Sequence, residues 1–359
     1  LGVLWREDAA AGANANPWQL RFMQGIFNMS ADSHLFRSRE ELEATGHRLK
    51  RNKFSGPEGT FEPLMEAKML YQFNHRFGDF SLLATGEREH ILPQVPDTSL
   101  EDPDYVTLPR YWVHQAQVSA NMDANWKRDW LLGWRDVTDA RSSVRTVVFS
   151  IIPRTAVGHT TPLMFTTLSP RTFSCLYSNL CSLVLDYTAR QKLGGVHLTY
   201  GYLKQLPVLL PTAYDAPPPW TTDSLETWVF ARTLELTFTA WDVEAFARDC
   251  GYQGSPFQWN SPRRALIRAE LDAAFFHLYG VNRPDTEYIL DTFPVLRDKE
   301  SRENGEYRTK RLVLERYDAL SAAVAAGRPY ESPLDPPPGD LRAAHSMKAQ
   351  QPPQAKKRG

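Results

Sequence analysis

The proline-crowded stretch at residues 207–219 constrains the fold more than any other feature of this chain. On its N-terminal side, apolar residues come in short runs broken by polar turns. The clearest run is residues 145–152, β-branched and ended by Pro153, which predicts a strand. On its C-terminal side the spacing becomes helical. Ser261-Pro262 supplies an N-cap and a first-turn proline, Ala265, Leu266, Ala269, Phe275, Phe276 and Tyr279 follow, and Gly280 closes the run. A last helix is expected from about Glu306, with Val313, Tyr317, Leu320 and Val324 on one stripe and Gly327 at its end. The pattern predicts an α+β chain. Its expected parts are a mixed-sheet domain with inserted helices over residues 1–212, a linker with helical segments over 213–260, a helical region over 261–328, and a disordered Pro-rich tail over 329–359.

Within the first part, residues 174–187 predict a helix through Leu176, Leu180, Leu183, Val184 and Tyr187. Residues 85–125 are polar and dotted with proline, which predicts a long connection or inserted loop. The basic run from His47 to Lys53 precedes a Gly-Pro-Glu-Gly turn. It suits either a phosphate-facing segment or a solvated hairpin.

With 359 residues, 42% hydrophobic content and 12% aromatics, the chain is long and apolar enough for a substantial core. The formal net charge of −1 excludes a protein basic all over, so any nucleic-acid site is a local groove. Cys175, Cys181 and Cys250 have neither disulfide-framework nor zinc spacing, and no apolar run approaches the roughly 18 residues of a membrane span. Reduced thiols and a cytoplasmic location are therefore expected.

Residues 63–77 gather Lys68, Gln72, Asn74, His75 and Arg76 among aromatic and aliphatic neighbours. These are side chains that bond base edges and phosphate oxygens. The spacing predicts an amphipathic helix with Lys68, Gln72 and Arg76 on one face. The bland reading is a helix with a polar rim.

This segment resembles part of the target-recognition half of adenine-N6 DNA methyltransferases, the large single-chain restriction–modification and phage-defence methylases included. Asn16-Pro17-Trp18 and the run from Phe27 to Phe36 are similar to the block that opens that half. The run from Trp130 to Val137, with residues 145–158, looks like its central strand pair. Residues 179–198 and Gln205-Leu206-Pro207-Val208 look like its closing block, and residues 264–279 and 306–314 resemble its helical tail. The likeness spans most of residues 14–320, five blocks in one order. It implies sequence-specific recognition of double-stranded DNA that positions an adenine for methylation.

The chemistry of methyl transfer is missing from the chain. No strand-to-turn glycine cluster for S-adenosyl-L-methionine is present. Asn16-Pro17-Trp18 lacks the second proline of an Asn-Pro-Pro-aromatic turn, and Asp335-Pro336-Pro337-Pro338 lacks the aromatic. No catalytic residue is assigned and no cofactor is expected here. The cofactor belongs to an N-terminal catalytic half, which the start at Leu1 suggests has been removed, so the chain alone is expected to be inactive.

Candidate DNA contacts outside residues 63–77 are Arg135 and Arg154 at strand ends, and the loop of Arg190, Gln191, Lys192, Gly194, Gly195 and His197. Arginine's forked donors match guanine or phosphate, and glycines let a backbone approach phosphate. Salt bridges of Arg135 to Asp136 or Asp139, and a plain helix C-cap for the loop, are the structural alternatives. The DNA reading predicts a continuous positive groove joining Arg76, Arg154 and Lys192.

Two other functions compete. A non-catalytic interaction subunit would dock a partner on aromatic faces around Trp126, Trp130 and Trp134. A metal-dependent nuclease would use Glu66 and Lys68, although Asp32, the nearest upstream aspartate, lacks the expected strand-end setting. For His75, His159 and His197 a hydrogen-bonded structural role outweighs hydrolase chemistry, because no Ser or Cys sits in a nucleophile elbow.

Overall fold

The computed structural model describes residues 1–5, 16–84 and 92–346. Besides a two-stranded pairing of Gly2–Val3 with Pro207–Val208, it has two larger sheets, with strands β1 (Leu20–Met23), β2 (Phe36–Arg37), β3 (Arg48–Lys50), β4 (Lys53–Gly56), β5 (Gly59–Met65), β6 (Trp112–His114), β7 (Trp130–Trp134), β8 (Phe149–Pro153), β9 (Ala156–Val157) and β10 (Leu163–Thr166). One sheet runs β1-β10-β7-β8, antiparallel throughout. The other runs β2-β6-β5-β4-β3, with β9 added parallel to β5. The α+β expectation holds.

Of the strand pair expected from residues 130–137 and 145–158, residues 130–134 pair with 149–153, while 135–137 and 145–148, the first half of the strand predicted at 145–152, lie outside both strands. Trp130 stands opposite Pro153 and Trp134 opposite Phe149. Every residue of β7 is buried, so this strand runs continuously apolar, as a strand covered on both faces must. The chain then leaves one sheet for the other. After Pro153, Ala156 and Val157 pair with Leu64 and Met65, and Thr155 Oγ1 donates to Pro63 O at 2.6 Å. This crossing places Arg154 against the second sheet.

Two helices follow, α1 (Pro170–Leu180) and α2 (Leu183–Lys192), where the sequence predicts one. Ser182 divides them: its side chain caps the second helix by accepting from Leu185 N, which the hydrophobic spacing does not register. The C-terminal helices are α3 (Leu225–Thr237), α4 (Glu244–Asp249), α5 (Ser261–Leu278), α6 (Arg283–Asp291), α7 (Pro294–Asn304) and α8 (Arg308–Ala325). In α5 the cap is Asn260, whose Oδ1 accepts from Arg263 N at 2.9 Å; Ser261 bonds Asp97 instead.

Three organisational expectations are corrected. Residues 213–260 do not merely link. α3 buries Trp228, Val229, Phe230, Leu234 and Leu236, and its Arg232 donates to Glu270 of α5 at 2.8 Å. The tail is ordered through residue 346: Tyr330 Oη and Ser332 Oγ donate to Glu270 Oε1, at 2.9 and 2.5 Å. Residues 347–359 lie outside the described residues. The connection at 85–125 carries β6, which inserts between β2 and β5; residues 85–91 are outside the described residues. One buried core cluster runs from Leu4 to Ala344 and joins the helices to both sheets, and a smaller one of Leu42, Phe54, Phe61 and Trp112 lies at the second sheet.

His277 gives that core a pH dependence. Its ring stacks on Tyr317 with centroids 3.9 Å apart, and Nε2 donates to Tyr317 O at 3.1 Å. Burial pushes its pKa below 6.5. The folded state then binds fewer protons than the unfolded chain, so this contribution is full above about pH 6.5 and is lost as pH falls below it. Thermal unfolding scans from about pH 7.5 to about pH 5 are expected to show a falling Tm. In His277→Gln the slope over this window is expected to be shallower; an unchanged slope rejects the assignment.

Candidate nucleic-acid interface

The segment 63–77 is not a helix. β5 continues through Met65, a single 3-10 turn covers Ala67–Met69, and a tight turn closes with Tyr71 and Asn74 exchanging backbone hydrogen bonds at 2.8 and 3.0 Å. Phe73 at its centre has φ +58°, which a helix excludes. The polar residues face inward. Gln72 Nε2 donates to Val147 O and Cys181 O. Asn74 Oδ1 accepts from Arg76 N, and His75 Nε2 lies 2.8 Å from Asp242 Oδ1. Arg76 is 0% exposed, and its guanidinium donates to Leu100 O, Asp102 O, Tyr105 O and Thr239 O. Gln72, Asn74, His75 and Arg76 are therefore withdrawn as DNA contacts. Only Lys68 keeps partial exposure, paired with Glu66 at 3.2 Å and lying over Phe80.

Arg135 is enclosed as well. Its guanidinium donates to Ala67 O, Lys68 O and Leu70 O, in place of the predicted salt bridge to Asp136 or Asp139. Arg190 bonds Asp186, Ser143 O and Val144 O and lies 4.2 Å from the Phe293 ring, which removes it from the surface set. Gln191, Lys192, Gly194, Gly195 and His197 are exposed. His197 is held at 3.0 Å from Asp136. With Arg76 buried, the predicted trough joining it to Arg154 and Lys192 does not form.

A different concavity exists. Two adjoining hollows of about 740 and 840 Å³ share Asp129, Glu244 and Ala245 as walls. The first lies between the β3–β4 hairpin and the region around Trp241; Lys50, Arg51, Lys53 and Arg154 line it. The second continues past Lys127, Arg128, Arg21 and Arg248. Most of the acids here are already neutralised. Glu62 pairs with Lys53 at 2.8 Å, Asp249 with Arg128 at 2.9 Å, and Glu244 with Arg248 at 2.6 Å. Among the described residues, Lys50, Lys127 and Arg154 make no ion pair. Their charge faces the groove together with the carboxylates of Asp129 and of Asp242, the latter hydrogen-bonded to His75.

The hairpin is built to hold its tip there. Lys50 pairs with Lys53 across a two-residue turn, and Trp112 Nε1 donates to Asn52 O at 2.7 Å. Arg51 occupies the turn at φ +57°, a conformation that suits glycine and costs an L side chain about 1–2 kcal/mol. A long cation in a left-handed tip is the kind of local strain found where a side chain serves a surface role. The basic run and its turn were legible in the sequence. Lys127, Arg128 and Arg248 were not; the only local signal is Lys127-Arg128 framed by Trp126 and Trp130.

The competing readings lose their surfaces. Trp126, Trp130 and Trp134 are 3%, 0% and 0% exposed, so no aromatic docking face exists around them. Glu66 and Lys68 pair with each other, and among the described residues no three His, Cys, Asp or Glu side chains gather to hold a metal. His159 Nδ1 accepts from Met29 N, a structural bond. No described helix is long and apolar enough to cross a membrane. No protein-family profile, curated protein or solved structure matches the chain.

Proposed function

We propose that this chain recognises duplex DNA through the groove between the β3–β4 hairpin and α4. It does so as the target-recognition part of an adenine-N6 DNA methyltransferase in a cytoplasmic restriction–modification or phage-defence system. The observation that carries the reading is the unpaired positive charge of Lys50, Lys127 and Arg154 along one concave wall, with Glu62, Glu244 and Asp249 locked in ion pairs and Asp129 and Asp242 as the remaining acids. Such a wall attracts a polyanion even when the molecule as a whole is near neutral. The resemblance over residues 14–320 supplies the methyltransferase context. S-adenosyl-L-methionine and the reacting groups would come from a catalytic half, and this chain would hold the duplex in register.

Duplex affinity is best measured by fluorescence anisotropy on a random-sequence duplex over a range of salt, since phosphate contacts act without base readout. In Lys50→Ala/Lys127→Ala/Arg154→Ala the slope of log K against log salt is expected to fall by about one per lost phosphate contact. Arg51→Gly is expected to weaken binding while raising stability by about 1 kcal/mol, because glycine removes the left-handed penalty. Absence of duplex binding by the parent chain, or an unchanged slope in the folded triple variant, rejects the groove.

A further inference from the structure

A second concavity, of about 390 Å³, lies where the 71–77 turn meets α5, α7 and α8. It shares no lining residue with the groove. Arg135, Arg268 and Arg308 line it, and among the described residues none of the three makes an ion pair. Arg135 donates only to backbone carbonyls, and Arg268 Nη2 donates to Gln72 Oε1 at 3.3 Å. Three acids line the same cleft, and Asp272 is in electrostatic contact with Arg268. Asp272 accepts from Leu183 N at 2.7 Å. Glu300 accepts from Thr309 N and Oγ1 at 2.7 and 2.6 Å, and Glu303 lies 3.9 Å from Lys299. Arg268 and the partly exposed Arg308 bring guanidinium donors to the wall of this cavity.

One wall is aromatic. Tyr71 and Phe77 stack with centroids 4.8 Å apart and an interplanar angle of 22°, and both rings are half-buried at the cleft. Arg135 lies 5.7 and 5.3 Å from the two centroids. Forked cations select phosphate oxygens, and an aromatic platform selects a flat base. The volume falls within the range of small-ligand sites.

The geometry points to a mononucleotide site, with the base against the Tyr71–Phe77 pair and the phosphate between Arg268 and Arg308. The nucleotide has two conceivable sources, a free nucleotide or an extrahelical nucleotide of bound DNA. Isothermal titration of the full chain with AMP, adenosine, inorganic phosphate, and duplexes with and without a bulged adenosine separates them. AMP is expected to bind more tightly than either adenosine or phosphate. Arg268→Gln/Arg308→Gln is expected to weaken AMP at least about tenfold, with the partly exposed Arg308→Gln alone as a variant that leaves the core untouched. Tyr71→Leu is expected to weaken AMP and leave phosphate unchanged. Binding of the bulged duplex over the perfect one, lost in the same variants and without AMP binding, assigns the site to extrahelical DNA. Lack of binding to both AMP and the bulged duplex overturns the site, as does AMP binding unaffected in natively folded variants or no tighter than phosphate. The groove variants Lys50→Ala/Lys127→Ala/Arg154→Ala are expected to keep AMP binding. Failure of the DNA groove thus leaves this site standing, and the reverse holds.

Discussion

Asp186→Ala is expected to lower the stability of this protein by about 3–5 kcal/mol, measured as the shift in a urea denaturation curve. Asp186 is 0% exposed and accepts four hydrogen bonds from three donors. Arg145 Nε donates to it at 2.7 Å, Arg190 Nε at 3.3 Å, and Thr146 N to both oxygens at 3.2 and 3.1 Å. Alanine would strand two buried guanidiniums and a backbone amide, and an uncompensated buried charge costs far more than the pair itself contributes. Against a typical total of about 5–15 kcal/mol this loss is large enough to unfold much of the chain. Asp186→Asn is expected to lie between the two, since it keeps the acceptor for Thr146 N and loses the charge. The network ties α2 to the segment leading into β8, so its failure would release the pairing of β7 with β8. An Asp186→Ala variant within about 1 kcal/mol of the parent would show that Arg145 and Arg190 find other partners.

That network also marks where sequence ceased to be a guide. Arg190 stands beside Gln191, Lys192 and a glycine pair, and local chemistry alone makes it a surface donor. Its partners Ser143 and Val144 lie more than forty positions away. Residues 63–77 were misread for the same reason. Four-residue spacing of Lys68, Gln72 and Arg76 fits a helix, but Gln72 is satisfied by Val147 and Cys181, and Phe73 O accepts from Arg264. A polar residue bonded to distant carbonyls looks, in one dimension, like one bonded to water or to DNA. The strands within 130–137 and 145–152 were legible as continuous apolar runs, and the helices from Ser261 and near Glu306 because their apolar residues follow a period that a local window contains. The hairpin at 47–53 was legible as a turn. That it shares a groove with Arg154 follows from the parallel pairing of β9 with β5, across about ninety residues of chain.

Arg76→Ala separates the two readings of residues 63–77 most sharply. If Arg76 read DNA, the variant would fold normally and bind poorly. The structure predicts the opposite. The guanidinium joins the 100–105 segment to Thr239 through bonds to Leu100 O at 3.0 Å, Asp102 O at 2.9 Å, Tyr105 O at 3.2 Å, and Thr239 O and Oγ1 at 3.2 and 3.3 Å. Burial lowers its pKa from the usual value, but Asp242 and Asp102 oppose that shift, and the group stays charged at neutral pH. Removing it leaves several buried carbonyls without a donor and a cavity the size of the side chain, for an expected loss of about 3–5 kcal/mol. Lysine is not expected to rescue the variant, because one ammonium lacks the planar fork that reaches acceptors on both segments. Denaturant unfolding and duplex anisotropy on the same Arg76→Ala sample give the answer. Lower stability with parental duplex affinity, at a temperature where the variant is still folded, is expected. Parental stability with lost affinity would return Arg76 to the DNA-contacting surface, and would do so against every hydrogen bond described here.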